Sequence, residues 1–365
     1  MLLPKSKWPS FEKKIIRNVS NIISSGKVNS LYGGTWCKKF ENEFSNYHEN
    51  RYSLAISNGT VGLELALASL SINKKSEVIV TPRTYFSSVS CIIKNNLIPV
   101  FADIDIKTHN ICPKDIIRKI TKKTKCIICV HLGGVPCDMT EIIKIAKKFN
   151  LYIIEDCSQA HGAKIGNKKV GTFGDVSVWS FCNDKIISTL GEGGMISTKN
   201  KKLYKKIWSL KDIGKNYDKF YRKSKKIGFQ WVHDNIGTNA RMTEIQACSG
   251  YFQLKNLYKT LNIRNSNANF LIKELDKTEA FLFIETPQNY YNAYYRLNFL
   301  LKPNFNRNKF LNDLEKIISV RVGSCPAIYK ESYFINKNIY CKNAEFVGEH
   351  AISLLVDSTI LPSNL

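Results

Sequence analysis

One lysine, Lys185, lies between an apolar run (Val176, Val178, Trp179, Phe181) and a glycine-rich segment (Gly191, Gly193, Gly194), and upstream of it a carboxylate, Asp156, closes the run LYIIED. An ammonium beside a buried strand end is costly to desolvate unless it is paired or chemically consumed. Condensation with an aldehyde cofactor as a Schiff base is one such use, and apolar surroundings lower a lysine pKa so that its amine can attack. The run VHLGG, the helix-like Ile142 to Phe149 and LYIIED read as strand, helix, strand, which sets Asp156 at the carboxyl end of a strand. Ligand-binding side chains of open α/β sheets collect there. A carboxylate in that place can keep a pyridine nitrogen protonated, the electron sink of pyridoxal phosphate chemistry. Taken singly, Lys185 reads as a snorkelling surface lysine and Asp156 as a helix cap or loop carboxylate. Gln159 and His161 follow Asp156 in the same unit, and the combination outweighs the single readings.

The elements that must position these residues follow in chain order. Phe11, Ile15, Ile16, Val19, Ile22 and Ile23 have helical spacing, as do Trp36, Phe40 and Phe44 beyond a break at Ser25-Gly26. A short strand, Ser53 to Ile56, turns through Ser57-Asn58-Gly59-Thr60 into an apolar helix. Such a turn brings free N–H groups and a helix dipole to one point, which suits a phosphate or is an ordinary helix start. EVIVTPRTYFSSVSCIIKNNLIPVFADI reads as a βαβ unit whose loop carries Arg83 and Tyr85. Arg83 fits either a bidentate carboxylate clamp or a surface salt bridge. Met195 to Ser197 reads as a further strand, and the basic run Lys215 to Lys226 as an extended loop, either an electropositive flap over a diphosphate or a solvated lysine-rich segment. A long helix from Thr243 to about Lys277 joins two domains, and the chain from Ala280 onward alternates as a small α+β unit.

Composition narrows the class. The chain has 365 residues, 44% hydrophobic and 23% charged, enough for a large core and two domains. Its net charge of +24 is spread along the whole length with no nucleic-acid-binding pattern beside it, so nucleic acid is not expected as a partner. Eleven cysteines at irregular spacing, with no signal peptide before them, point to free thiols in a reducing cytoplasm. The C-x-x-C of Cys126 and Cys129 lies in a strand, where residues three apart face opposite ways, so no metal or redox site is expected there. No apolar run has the length of a membrane span.

The motifs D-x-x-Q-A-H-G at Asp156 to Gly162, S-F-x-x-x-K at Ser180 to Lys185, G-E-G-G-M at Gly191 to Met195 and N-x-R-M-T-E-I-Q-A at Asn239 to Ala247 resemble those of the DegT-type nucleotide-sugar aminotransferases. The resemblance runs from about Phe11 to Val356 and keeps the family's motif order. It implies the fold type I architecture of α/β class, a large domain (1–250) with a mostly parallel seven-stranded sheet flanked by helices and a smaller C-terminal α+β domain (251–365). It implies pyridoxal 5′-phosphate held by Lys185, Asp156 on the ring nitrogen, Gln159 on the phenolic oxygen and Tyr85 stacked on the ring. Gly59, Thr60, Ser180 and Asn239 from a neighbouring subunit are then phosphate contacts, in a homodimer with a composite active site. Arg83, His161 and Arg241 are candidate substrate contacts. The implied reaction moves an amino group from glutamate or glutamine to a keto-deoxysugar on a nucleoside diphosphate, at C3 or C4, for lipopolysaccharide or related amino-sugar synthesis. An aminocyclitol acceptor and a non-catalytic, polyanion-binding relative of the fold are the alternatives. Three departures stand against the pattern: Cys182 replaces a common histidine, VDSTI (Val356 to Ile360) lacks the usual histidine and proline, and a closing helix is missing, which puts the small domain's stability in question.

Overall fold

The structure, a computed structural model, describes residues 6–31, 34–49, 52–222, 231–316, 320–322, 327–334 and 337–360. Seven strands form the main sheet: β1 (Tyr52–Ile56), β2 (Glu77–Val80), β3 (Ile98–Phe101), β4 (Thr124–Val130), β5 (Tyr152–Asp156), β6 (Val176–Ser180) and β7 (Gly194–Thr198). Their order is β1-β7-β6-β5-β4-β2-β3. Every pairing from β6 to β3 is parallel, and β7 runs antiparallel to both its neighbours. Runs such as VIV (Val78 to Val80) and CIICV (Cys126 to Val130) are continuously apolar because both sheet faces are covered. Val78 and Val80 join the cluster on one face with Ile128, Ile154 and Val178, while Ile79, Ile127 and Ile153 join that on the other. Period-two alternation thus serves two cores instead of one core and solvent.

The helix Gly59–Ser69 is apolar all round, and seven of its eleven residues are buried. Gly62 sets how close it comes to the sheet: a Cβ there would stand 2.7 Å from both Ile56 Cδ1 and Val178 Cγ1. The helix therefore lies directly on β1 and β6, with its N-terminus at the carboxyl end of β1.

A second, antiparallel sheet orders Phe281–Phe283, Leu297–Leu301, Ala351–Leu354 and Val320–Arg321 over its own apolar cluster. The single long helix expected from Thr243 to about Lys277 is two helices, Glu244–Lys255 and Leu257–Asp276, meeting at Asn256 (φ −94°, ψ 2°). The boundary expected after residue 250 falls inside the first of them. The basic run read as an extended loop contains a helix, Tyr217–Tyr221, capped by Asn216 and packed on Trp208 through Tyr217, ring centroids 5.1 Å apart. Lys223 to Lys226 of that run lie outside the described residues. The departing segment Val356 to Ile360 is tied to the helix Leu257–Asp276 by Asn267, whose Nδ2 donates to the carbonyls of Asp357 (3.0 Å) and Ile360 (2.7 Å). No described helix is long and apolar enough to cross a membrane.

Candidate active site

At the carboxyl end of the parallel strands lies a cavity of about 790 Å³, walled by the start of the helix Gly59–Ser69, the ends of β5 and β6, the loop carrying Lys185 and one segment of the second sheet. Asp156, the last residue of β5, is 5% exposed. Its Oδ2 accepts from Ser88 Oγ at 2.9 Å and its Oδ1 from Ser158 Oγ at 2.6 Å. Gln159 accepts the Gly133 N–H at 2.7 Å through Oε1. A donor on that side fixes the amide orientation, so the NH₂ end is the one free for a ligand.

Asn58 caps the helix by accepting the Val61 N–H at 2.9 Å, so Gly59 and Thr60 occupy its first turn, where N–H groups lack intrahelical partners. A Cβ on Gly59 would stand 2.9 Å from Ser180 Cβ, and one on Gly194 2.7 Å from the Asn58 carbonyl carbon. Backbone and hydroxyls thus close into a tight cradle, with Tyr85, 66% exposed, on the cavity's rim.

Lys185 also lines the cavity, but its electrostatics differ from the expectation. Its Nζ stands 3.8 Å from Asp184 Oδ1 and 4.7 Å from the Tyr295 ring centroid. Burial works to lower its pKa, yet Tyr295, Asp184 and Asp156 outweigh burial and hold it above the ordinary lysine value. Without a bound group Lys185 is an ammonium, and the lowered pKa expected from the apolar run is corrected. Asp184 is exposed at its outer side, and the part of it that is desolvated works against its charge, but Lys185, the Tyr295 hydroxyl and Arg296 hold it below the usual aspartate value. Arg296 Nη2 reaches Asp184 Oδ2 at 3.3 Å.

The three candidate substrate contacts lie elsewhere. Arg83 is 2% exposed, with Nη1 3.4 Å from His109 Nδ1, and does not line the cavity. His161 is fully buried against Trp179 and Phe181, and burial keeps its pKa far below the usual histidine value, so the ring is a neutral core group. Arg241 pairs with Asp212 at 2.6 Å beside a separate, smaller cavity. Asn239 is exposed and also outside the main cavity, its backbone bridged to Asp212.

Sequence reasoning missed Asp184, Tyr295, Arg296 and Asn298, all in the cavity wall. Asp184 was in view beside Lys185; the other three belong to an ordinary alternating strand pattern, and no spacing links them to the lysine. A further cluster, His131, Glu155 and Cys157, has the donor types of a metal site. His131 Nδ1 accepts the Cys137 N–H at 3.0 Å, so its Nε2 carries hydrogen and donates to Glu155 Oε2 at 3.2 Å. Glu155 also takes the N–H groups of Gly171, Phe173 and Gly174, so these groups already satisfy one another.

A model of the DegT/DnrJ/EryC1/StrS aminotransferase family matches residues 9–362. The GDP-perosamine synthase of Escherichia coli O157:H7 is 37% identical over 330 residues, 89% of this chain and 86% of that protein. The L-glutamine:2-deoxy-scyllo-inosose aminotransferase of Streptomyces kanamyceticus is 32% identical over 72% of this chain and 62% of its own length. Among solved structures, an aminotransferase from Psychrobacter cryohalolentis superposes with a TM-score of 0.95 at 36% identity, covering 99% of this chain and 96% of that one.

Proposed function

The chain belongs to the DegT/DnrJ/EryC1/StrS aminotransferase family, and from that premise we propose that it transfers an amino group from glutamate or glutamine to a keto-deoxysugar on a nucleoside diphosphate, for lipopolysaccharide or related amino-sugar synthesis. The observation that carries this reading is the convergence of Asp156, Gln159 and Lys185 on one cavity with a helix N-terminus opposite. Enzymes of this family use pyridoxal phosphate. The donor set fits it: a carboxylate for a ring nitrogen, an amide NH₂ for a phenolic oxygen, a tight backbone cradle for a phosphate, and an amine for an aldehyde. When bound, the cofactor supplies the electron sink and takes up the amino group.

In this reading the protein's own residues divide the work. Gly59, Thr60 and Ser180 hold the phosphate, Tyr85 covers the ring, and Asp156 holds a proton at the ring nitrogen. Gln159 fixes the ring's rotation through its phenolic oxygen. Lys185 Nζ would take the proton from the donor carbon that bears nitrogen and give it to the carbon of the former aldehyde, which requires the amine to leave its Asp184 partner and become neutral. Asn239, exposed and outside its own cavity, serves the phosphate of a second copy, so the active unit is a homodimer. The described cysteines are all free, which suits a reducing cytoplasm. The GDP-perosamine synthase relative favours a nucleotide-sugar acceptor; the inosose aminotransferase keeps an aminocyclitol as the second reading.

The test is the absorption spectrum of the purified protein with pyridoxal phosphate, before and after glutamate or glutamine, beside Lys185→Ala. A visible band that glutamate or glutamine moves to shorter wavelength, and that the variant lacks, is the expected result. An intact protein without a visible band would sink the reading. Turnover of a keto-inositol in preference to a nucleotide-linked keto-sugar would move the assignment to the second one.

A further inference from the structure

Lys185 is held from a side that the cavity does not explain. Its main-chain oxygen accepts the indole N–H of Trp8 at 2.9 Å, bringing the beginning of the chain to the reactive lysine. The Trp8 ring in turn carries Arg264, whose guanidinium carbon lies 5.4 Å from the ring centroid. Arg264, on the helix Leu257–Asp276, is 1% exposed. Its Nη1 donates to the carbonyls of Tyr294 at 3.2 Å and Tyr295 at 3.1 Å. Tyr295 is the residue whose ring faces Lys185 Nζ and whose hydroxyl donates to Asp184.

One buried guanidinium therefore meets both tethers of the lysine, Trp8 behind its main chain and Tyr295 at its ammonium. A buried cation is expensive, and packing alone would be served as well by an apolar side chain of that volume. Burial pulls the Arg264 pKa down to about 10 while Asp357 works upward, so the group stays charged at neutral pH. Asp357 stands where the resemblance led to a histidine, and it supplies that counter-charge from 3% exposure. Arg264 lines no part of the cavity.

We propose that Arg264 is a positioning residue for the aminotransferase reaction: by clamping Trp8 and the Tyr294-Tyr295 segment together, it places Lys185 Nζ where it meets the cofactor's aldehyde. The proposal rests on the reading that Lys185 is the cofactor lysine. It separates two properties that a merely structural residue would change together. Contacts to the phosphate and ring come from Gly59, Ser180 and Asp156, whereas the hydrogen bonds of Arg264 go to Tyr294 and Tyr295 and its ring contact is with Trp8, so the aim of the amine runs through Trp8 and Tyr295.

Two probes read these properties apart. Pyridoxamine 5′-phosphate has the ring and phosphate but no aldehyde, so its affinity reports the cradle alone. Attachment of pyridoxal 5′-phosphate to Lys185, fixed by borohydride and read by intact mass, reports the amine. In Arg264→Met the rate of attachment falls by about tenfold or more, since misplacing a reacting group by 1 Å can cost about a hundredfold, while pyridoxamine phosphate binds within about twofold of wild type. Trp8→Phe keeps the ring and loses only the N–H, and attachment slows about threefold, the scale of one hydrogen bond. Arg264→Lys, which restores a cation and a donor, recovers most of the rate. Parallel weakening of both probes, or unchanged attachment in Trp8→Phe and Arg264→Met, overturns the inference. If Arg264→Met does not fold, Trp8→Phe decides alone. Absence of attachment in the unmodified chain overturns the assignment of Lys185 itself, and the inference with it.

Discussion

Two consecutive carboxylates close β5, and their side chains leave the strand on opposite faces. Glu155 is fully buried and accepts four hydrogen bonds, from His131 Nε2 (3.2 Å) and from the N–H groups of Gly171 (2.7 Å), Phe173 (2.8 Å) and Gly174 (2.6 Å). Asp156 is nearly as buried, but its side-chain partners are two neutral hydroxyls and one N–H, and it borders the cavity. Burial alone thus does not mark a working carboxylate. Saturation by rigid donors makes Glu155 a clamp between β5, β4 and the turn before β6. Incomplete saturation beside open space leaves Asp156 able to face a cationic ring.

The sharpest way to break this contrast is to neutralise each member without changing its shape. Asp156→Asn should lower turnover by about a thousandfold, the scale of losing a positioned proton-holding group, with little change in thermal midpoint. Activity within tenfold of wild type would remove the distinction. Glu155→Gln should do the reverse. One of its oxygens becomes an NH₂ facing donors, leaving buried groups unpaired at a cost of about 3 kcal/mol in denaturant unfolding, while the folded fraction keeps its turnover per site.

Acid sharpens the same pair. Burial works to raise the Glu155 pKa, but His131 and the N–H groups of Gly174 and Gly171 outweigh it and hold the carboxylate below the usual value. A depressed pKa contributes stability that is complete above the unfolded value of about 4.3 and is lost as pH falls through the lower folded value. The stability gap between wild type and Glu155→Gln should therefore be widest near neutrality and narrow below about pH 4. A gap independent of pH would show that the variant acts through shape alone.

The carboxylate pair also shows what was legible in the chain. Asp156, Gly59 and Ser180 are readable because each sits at a strand end or helix start, a place set by a few neighbouring residues, and Lys185 because its loop follows an apolar strand and precedes a glycine-rich segment. Gln159 and His161 share one motif, yet the turn at Cys157 to Ala160 sends the amide to the cavity and the imidazole against Trp179 and Phe181. Spacing does not encode that divergence. Tyr295, Arg296 and Trp8 reach the site only through docking of distant segments, and locally they are strand or leader residues. The break at Asn256 carries no proline or glycine, so the helical pattern ran through it. Lys185's raised pKa is hidden for the same reason: the apolar run is visible, but Tyr295, which helps outweigh it, comes from the distant segment that leads into the second sheet.

The smallest change tests whether the hydroxyls around Asp156 are as dispensable as the contrast requires. Ser88 Oγ donates to Asp156, so its hydrogen is committed there, and the 2.7 Å contact with Thr84 Oγ1 must be donated by threonine. Ser88→Ala removes one neutral donor from the carboxylate and leaves Ser158 in place at Oδ1. The loss is about 1 kcal/mol, which should appear as a roughly fivefold weaker hold on the cofactor and a similar fall in turnover. On the Glu155 side, removing a single donor leaves a buried charge short of a partner and should cost several-fold more in free energy. Equal costs on the two faces would mean that Asp156 is clamped as tightly as its neighbour, and that its access to the cavity, not its looser hydrogen bonding, is what distinguishes it.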